Sequence, residues 1–312
     1  IVDEAQDLSP LQWKMVHETM KPRAKRIYFA GDDDQCIYSW MGVNVRDFLN
    51  ASDEKVVLNK SYRLPKNIHS IAESMASQLG IRQKKIWSPK EEAGVVVWHH
   101  DMLGLDLTKD EWLILARTNY IANKVAVDLK EQGYLFWREG SGWSISPNVL
   151  TGIEVWLKLC KGLHLSATEL KTLSTLLKAD VVTKTGRKKL ATLDNELTYT
   201  LENIKDSFTT SEIKEKAWHE VLRVSEVEKI YITSVRRMGE KILTNKPRIK
   251  ISTIHKAKGG EADNVALLLD TTRACVESAD QDSEIRTFYV GATRAKKALH
   301  IIESQSMYGF NI

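Results

Sequence analysis

Ile249-Lys250-Ile251-Ser252-Thr253-Ile254-His255-Lys256-Ala257-Lys258-Gly259-Gly260-Glu261 is the stretch on which the fold turns. A short apolar strand ends at Thr253, a polar turn closed by a glycine pair follows, and a second apolar run begins at Val265. Runs of the same strand-like kind recur at Arg26–Ala30, Val95–Trp98, Trp112–Ala116, Val265–Leu269 and Leu299–Ile302. Helical patterns separate them. Ser9 and Pro10 supply an N-cap and first-turn proline for a helix through Met20, Pro65 opens one that stops at Gly80, and Asn119 opens one that stops at Gly133. Strands alternating with helices at this spacing predict an α/β fold with mostly parallel sheets.

From about Ser146 to Arg237 the pattern changes. Ser146-Pro147 starts a helix ending near Gly162, and Ser166 with Glu169 forms a capping box for the next. Amphipathic patterns continue through Leu190–Ile204 and Ser211–Met238 without a clear strand, which predicts an all-helical insertion. The α/β pattern resumes at Pro247.

Composition narrows the class. Hydrophobic residues make up 43% and charged residues 28% of 312, which excludes collagen-like, low-complexity and wholly disordered chains. No apolar run approaches the roughly 18–20 residues of a membrane span. Cys36, Cys160 and Cys275 are far apart and odd in number, so neither a zinc knuckle nor a disulfide framework is indicated; a reduced, intracellular (cytoplasmic) protein is expected. The net charge of +4 says little about nucleic acid. Two basic stretches, Lys184 to Lys189 and Lys246 to Lys258, are candidates for phosphate contact or plain solvated faces.

Five short segments carry chemistry. In Ile1-Val2-Asp3-Glu4-Ala5-Gln6-Asp7 an aspartate at a strand end can hold Mg²⁺ through its water shell, and the adjacent glutamate can polarise a water toward a γ-phosphate. The same acids also suit a helix N-terminus. Gly31-Asp32-Asp33-Asp34-Gln35, followed by Tyr38 and Trp40, joins a glycine turn to two aromatics on which bases could stack; an acidic calcium-like loop or core aromatics are the plainer alternatives. Ser61-Tyr62-Arg63-Leu64-Pro65 sets an aromatic and an arginine before a helix. The Thr253–Glu261 turn offers close backbone approach together with His, Lys and Glu. Phe288-Tyr289-Val290-Gly291-Ala292-Thr293-Arg294 delivers an arginine just before the last strand.

In this order, DEAQD, GDDDQ-x-I-Y-x-W, YR, T-I-H-x-x-K-G-x-E and Y-V-G-x-T-R-A resemble motifs II to VI of the UvrD/Rep/PcrA helicases of superfamily 1A. The resemblance spans residues 1 to about 303, the helical stretch excepted. It implies RecA-like motor domains, ATP and Mg²⁺ as cofactors, and 3′-to-5′ movement on single-stranded DNA and at ss/ds junctions. By resemblance Asp3 serves Mg²⁺, Glu4 activates the water, and Gln35 senses the γ-phosphate. Tyr62 stacks on adenine, Arg63 and Arg294 are arginine fingers, and Glu261 contacts the ribose. Tyr38, Trp40, Arg117, Asn119, Thr253 and His255 lie on the strand path.

The implied organisation is a remnant of the first RecA-like domain (1–57), a second RecA-like domain split as 58–142 and 236–312, and the helical insertion at 143–235. There are departures from the family pattern. Met41 stands where an arginine is common, Gly260 where Leu is usual, and Asp270–Arg286 is short and lacks an aromatic-Pro-His element. No GxxxxGK[ST] occurs. The expectation is therefore a helicase lacking part of its first motor half, and a chain that by itself neither hydrolyses ATP nor unwinds DNA. The alternative is an inactive helicase-like DNA-binding or scaffold protein.

Overall fold

A computed structural model describes residues 1–210, 212–239 and 247–312. Two compact units emerge. The first comprises 1–126, 138–140 and 248–312, and the second 127–137 and 141–247. Lys246 of the second basic stretch and Ser211, which begins one expected helix, lie outside the described residues.

The first unit is built on five parallel strands. In chain order they are β1 (Val95–His99), β2 (Trp112–Ala116), β3 (Ile249–Thr253), β4 (Ala262–Leu268) and β5 (Ala295–Ile302). Their spatial order is β1-β5-β4-β2-β3. Ile114 of β2 sits opposite Ile251 of β3 and Ala266 of β4, and Val265 sits opposite Leu299. Every residue of β2 is buried, as a central parallel strand covered on both faces requires.

Two helices supply much of one cover: α3 (Lys66–Ala76) and the later Gln281–Ala292. Ile68, Ala72 and Met75 of α3 pack with Phe288, Leu267, Leu299 and Ile301 in one core. Truncating a side chain as enclosed as Ile114 to alanine should cost roughly 2–5 kcal/mol.

Before the sheet, α1 (Pro10–Met15) starts at a capping box in which Ser9 and Gln12 exchange bonds, and the helix continues as a wider turn through Met20. Val45–Leu49 forms the short α2, capped by Asn44. The run Arg26–Ala30 does not become a strand. Among the described residues its one bridge is to Val2, through Val2 N to Tyr28 O and Ala30 N to Val2 O, both at 2.8 Å, and the Ala30 carbonyl also accepts the Ala5 N–H at 2.9 Å. One bridging residue cannot propagate a ladder, however apolar the run.

The second unit is mainly helical. Its helices include Pro147–Cys160, Ala167–Leu176, Lys184–Ala191 and Glu226–Arg237, around a core holding Trp156, Leu173, Val221 and Ile232. The capping box of Ser166 and Glu169 is present. It is not wholly helical, since Leu165–Ser166 pairs antiparallel with Thr198–Tyr199. Leu190–Ile204 is broken because Asp194 Oδ1 accepts the Glu196 N–H at 3.0 Å, a local turn that competes with the helix. Ser211–Met238 is likewise divided, with Ser225 capping a fresh helix by accepting the Glu228 N–H.

Candidate functional site: a guanidinium pocket beside an aromatic face

The five motif segments all fall within the first unit. Parallel topology explains part of their placement. Arg117 and Ile254 directly follow neighbouring strand ends, where Ala116 is opposite Thr253. Glu261 and Arg294 directly precede the starts of β4 and β5. The turn from Ile254 to Glu261 must therefore run from the carboxyl ends of the strands back to their amino ends, touching both sides of the site.

Gln6 stitches the first two segments together. It donates to Glu4 Oε2 at 2.6 Å and accepts the Asp32 N–H at 3.1 Å. Glu4 itself holds φ 49°, a left-handed backbone that is uncommon for a residue with a side chain. Asp3 is exposed, and its Oδ1 accepts the Glu4 N–H at 3.0 Å.

Arg294 is only 1% exposed. Its guanidinium donates to Val290 O at 2.9 Å, Gly260 O at 3.3 Å, Thr293 Oγ1 at 3.0 Å and Gln35 Oε1 at 3.2 Å. All four partners are neutral. Burial, and then the charge of Arg63, pull the Arg294 pKa down to about 10. Arg63 Nε is buried with no hydrogen-bond partner among the described residues. It lines a cavity of about 550 Å³ together with Gly31, Gln35, Lys60, Ser61 and Thr293. Arg63 on the cavity wall and the buried Arg294 next to Thr293 are near enough for one charge to act on the other, an arrangement suited to a multiply charged anion.

Gln35 also donates to Asp32 Oδ2 at 2.8 Å. The acidic triplet is the sole group of three close carboxylates among the described residues. Lys85 occupies its centre, 2.6 Å from Asp33 and 2.9 Å from Asp34 and bonded to Asp32. Arg82 adds a bond to Asp34 at 2.9 Å. An ammonium thus fills the place a calcium ion would take, and the triplet works as a clamp. Asp3, by contrast, is exposed, which is compatible with the waters and phosphate oxygens that Mg²⁺ prefers to keep.

Trp40 is 73% exposed and meets the Tyr38 ring edge-on, with centroids 6.4 Å apart. Tyr38 Oη donates to His255 O at 3.3 Å. His255 is pushed down to a pKa of about 4, by burial first and then by the Arg117 charge, so its ring is neutral at physiological pH. Thr253 is buried and its hydroxyl accepts the Lys256 N–H. Arg117 makes a two-pronged bond to Glu284, at 2.7 and 2.6 Å, so its Nε and one Nη are already engaged.

The structure does not bring every expected residue together. Tyr62 is 84% exposed, with Lys60 over its ring. Glu261 pairs with Lys296 at 3.5 Å. Asn119 is exposed, and its carbonyl accepts from Arg138 at 3.4 Å. Within the second basic stretch, Arg248 donates to the Asp110 carbonyl at 3.3 Å, while the Lys258 side chain is enclosed in the site.

The UvrD/REP helicase N-terminal domain model matches residues 1–55, and the UvrD-like helicase C-terminal domain model matches residues 154–306. The chain carries UvrD/Rep/PcrA-like helicase domains. Among its UvrD-like relatives, the ATP-dependent DNA helicase PcrA of Leuconostoc citreum is 30% identical over 104 residues, 31% of this chain and 14% of that protein. The ATP-dependent DNA helicase Rep of Buchnera aphidicola is 26% identical over 124 residues, 38% of this chain and 18% of that one. DNA helicase II of Escherichia coli is 34% identical over 94 residues, 28% and 13% respectively. The matched stretches thus span less than a fifth of these UvrD-like proteins. Among the described residues no helix is long and apolar enough to cross a membrane.

Sequence reasoning assigned no role to Glu284, Lys85 or Arg82, and gave Lys258 only a place in a basic stretch open to phosphate contact. Lys258 had a signal, since it stands inside the T-I-H-x-x-K-G-x-E pattern of the UvrD-like motifs. Lys85 and Arg82 had none, for they meet the triplet from 53 and 48 residues away.

Proposed function

We propose that the chain serves an ATP-dependent DNA helicase or translocase of the UvrD type, moving 3′-to-5′ on single-stranded DNA and separating strands at ss/ds junctions. The observation that carries the reading is Arg294, a buried cation whose described partners are all neutral, beside Arg63 with its unsatisfied Nε. Keeping positive charge out of water is costly unless an anion arrives to meet it. A transferring phosphoryl group is such an anion.

In this reading Arg63 and Arg294 neutralise charge on the γ-phosphate, and Gln35, bonded to Arg294, registers its arrival. Glu4 orients and deprotonates the attacking water. Asp3 would hold Mg²⁺, which supplies charge neutralisation at the phosphates when bound. Tyr62 and Glu261 would take the adenine and ribose. Both are solvent-accessible, so they would engage only as nucleotide settles. Trp40 and Tyr38 stack on bases, with Thr253, His255, Arg117 and Asn119 along the strand. Stacking accepts any base, which suits a motor without sequence preference.

The test is a titration of fluorescent MANT-ATP with Mg²⁺ into the protein, with and without a dT oligonucleotide. The reading expects nucleotide binding whose affinity changes when strand is present, and no binding of either ligand would overturn it.

A further inference from the structure

We propose that Lys258 is a positioning residue. It sets the Tyr38 ring for base stacking and locks that ring to the carboxylate loop at Glu4–Asp7. The proposal rests on the strand-binding reading above and gives the joint between its two sides.

The Lys258 side chain is only 8% exposed. Its ammonium is bonded to Asp7 Oδ2, donates to Gln35 O at 2.6 Å, lies 4.0 Å from Glu4 Oε2, and stands 5.1 Å from the centre of the Tyr38 ring. One cation therefore meets the segment of the expected water-activating acid, the backbone of the expected phosphate sensor, and a stacking aromatic. The turn that carries Lys258 also carries His255, whose carbonyl accepts the Tyr38 hydroxyl at 3.3 Å. Tyr38 is held at its hydroxyl by one residue of this turn and on its face by another.

A lysine kept only for stability would be served by Asp7 alone. A buried ion pair brings little net stabilisation once desolvation is counted, and its better-attested use is to fix one arrangement. Here the third and fourth contacts say what is fixed. An ammonium over an aromatic face is attracted to it without directional demand on the ring edge, so it fixes the ring while leaving Tyr38 only half-buried, next to the exposed Trp40. Any shift of the Asp7 or Gln35 segment would drag the ammonium, and with it the preferred ring position.

The test uses an oligonucleotide carrying one 2-aminopurine, whose fluorescence is quenched by stacking, with wild-type protein, Lys258→Met and Asp7→Asn. Thermal melts run alongside. Wild type is expected to quench the probe. Lys258→Met is expected to weaken binding about three- to tenfold and to leave bound probe less quenched at saturation. A purely structural lysine would lower the melting temperature and leave the quench of bound probe unchanged, which overturns the proposal. If Lys258→Met does not fold, Asp7→Asn decides. It removes the charge that anchors the ammonium and should show the same loss of quench in milder form, while wild-type behaviour overturns the proposal. A wild-type protein that never quenches the probe overturns the strand reading as well.

Discussion

Arg294 Nη2 donates to Gln35 Oε1 across 3.2 Å, and the same Gln35 side chain donates to Asp32 Oδ2 at 2.8 Å. The amide of Gln35 thus spends its acceptor on the buried guanidinium and a donor on the acidic clamp. On the proposed reading, a phosphate that draws on Arg294 must disturb Gln35, and the backbone of Gln35 is already tied to Lys258.

The two arginines should separate in their variants. Arg63→Ala and Arg294→Ala are each expected to weaken MANT-ATP binding at least tenfold, about 1.4 kcal/mol or more. Arg294→Ala should also lower stability by roughly 1–3 kcal/mol, because it takes the guanidinium donor from the Gly260 carbonyl and from Gln35 Oε1. Arg63→Ala should not, since the Nε it removes has no partner among the described residues. Denaturant melts beside the titrations check both effects.

Lys85 is the keystone of the Asp32–Asp33–Asp34 clamp, and its pKa is held above the ordinary lysine value by those carboxylates against the opposing effect of burial. Lys85→Met should leave three close, mostly buried carboxylates without their central cation and cost roughly 3–5 kcal/mol. Chemical denaturation at pH 7 measures it. A loss under about 1 kcal/mol would mean that Arg82 alone suffices.

His255 predicts an acid limb. Its folded pKa of about 4 lies below the ordinary value of 6.5, so the unfolded chain binds the extra proton between those values. Stability from this group is therefore complete above about pH 6.5 and is lost as pH falls toward 4, by about 3 kcal/mol in all. Melts from pH 7.5 to 4.5 should show this limb, and His255→Asn should flatten it.

Gly186 tests the second unit by itself. A Cβ there would stand 2.1 Å from Ser207 O and 2.5 Å from Ser207 Cα, backbone atoms that cannot swing aside. Gly186→Ala should destabilise by about 1–3 kcal/mol or more, despite alanine's better helix propensity. Limited proteolysis should cut first within 141–210.

The sheet was legible where apolar runs are uninterrupted. Trp112–Ala116 and Ile249–Thr253 are strands with the bounds the sequence predicts, whereas Val265–Leu269 and Leu299–Ile302 begin earlier, at Ala262 and Ala295. Those extra residues include Asp263, Asn264, Lys296 and Lys297, polar positions that hide a strand from a hydrophobic pattern. Arg26–Ala30 failed in the opposite sense, being apolar but without a ladder to join. The motif order pointed to the UvrD-like family, but not to which side chains meet. Arg117 and Glu284 are 167 positions apart, Lys258 and Asp7 251, and Arg294 and Gln35 259. Local pattern carries no information about pairs so distant, and only the fold brings them together.

Single-strand binding by Trp40 tests the central claim most directly. The indole is 73% exposed, so Trp40→Ala should leave the melting temperature nearly unchanged. Anisotropy of a labelled mixed-sequence oligonucleotide at fixed salt should show wild-type binding, weakened by roughly 1–3 kcal/mol, or about 5- to 150-fold, in Trp40→Ala. Equal affinity of the two proteins, or no binding by wild type, would contradict the account.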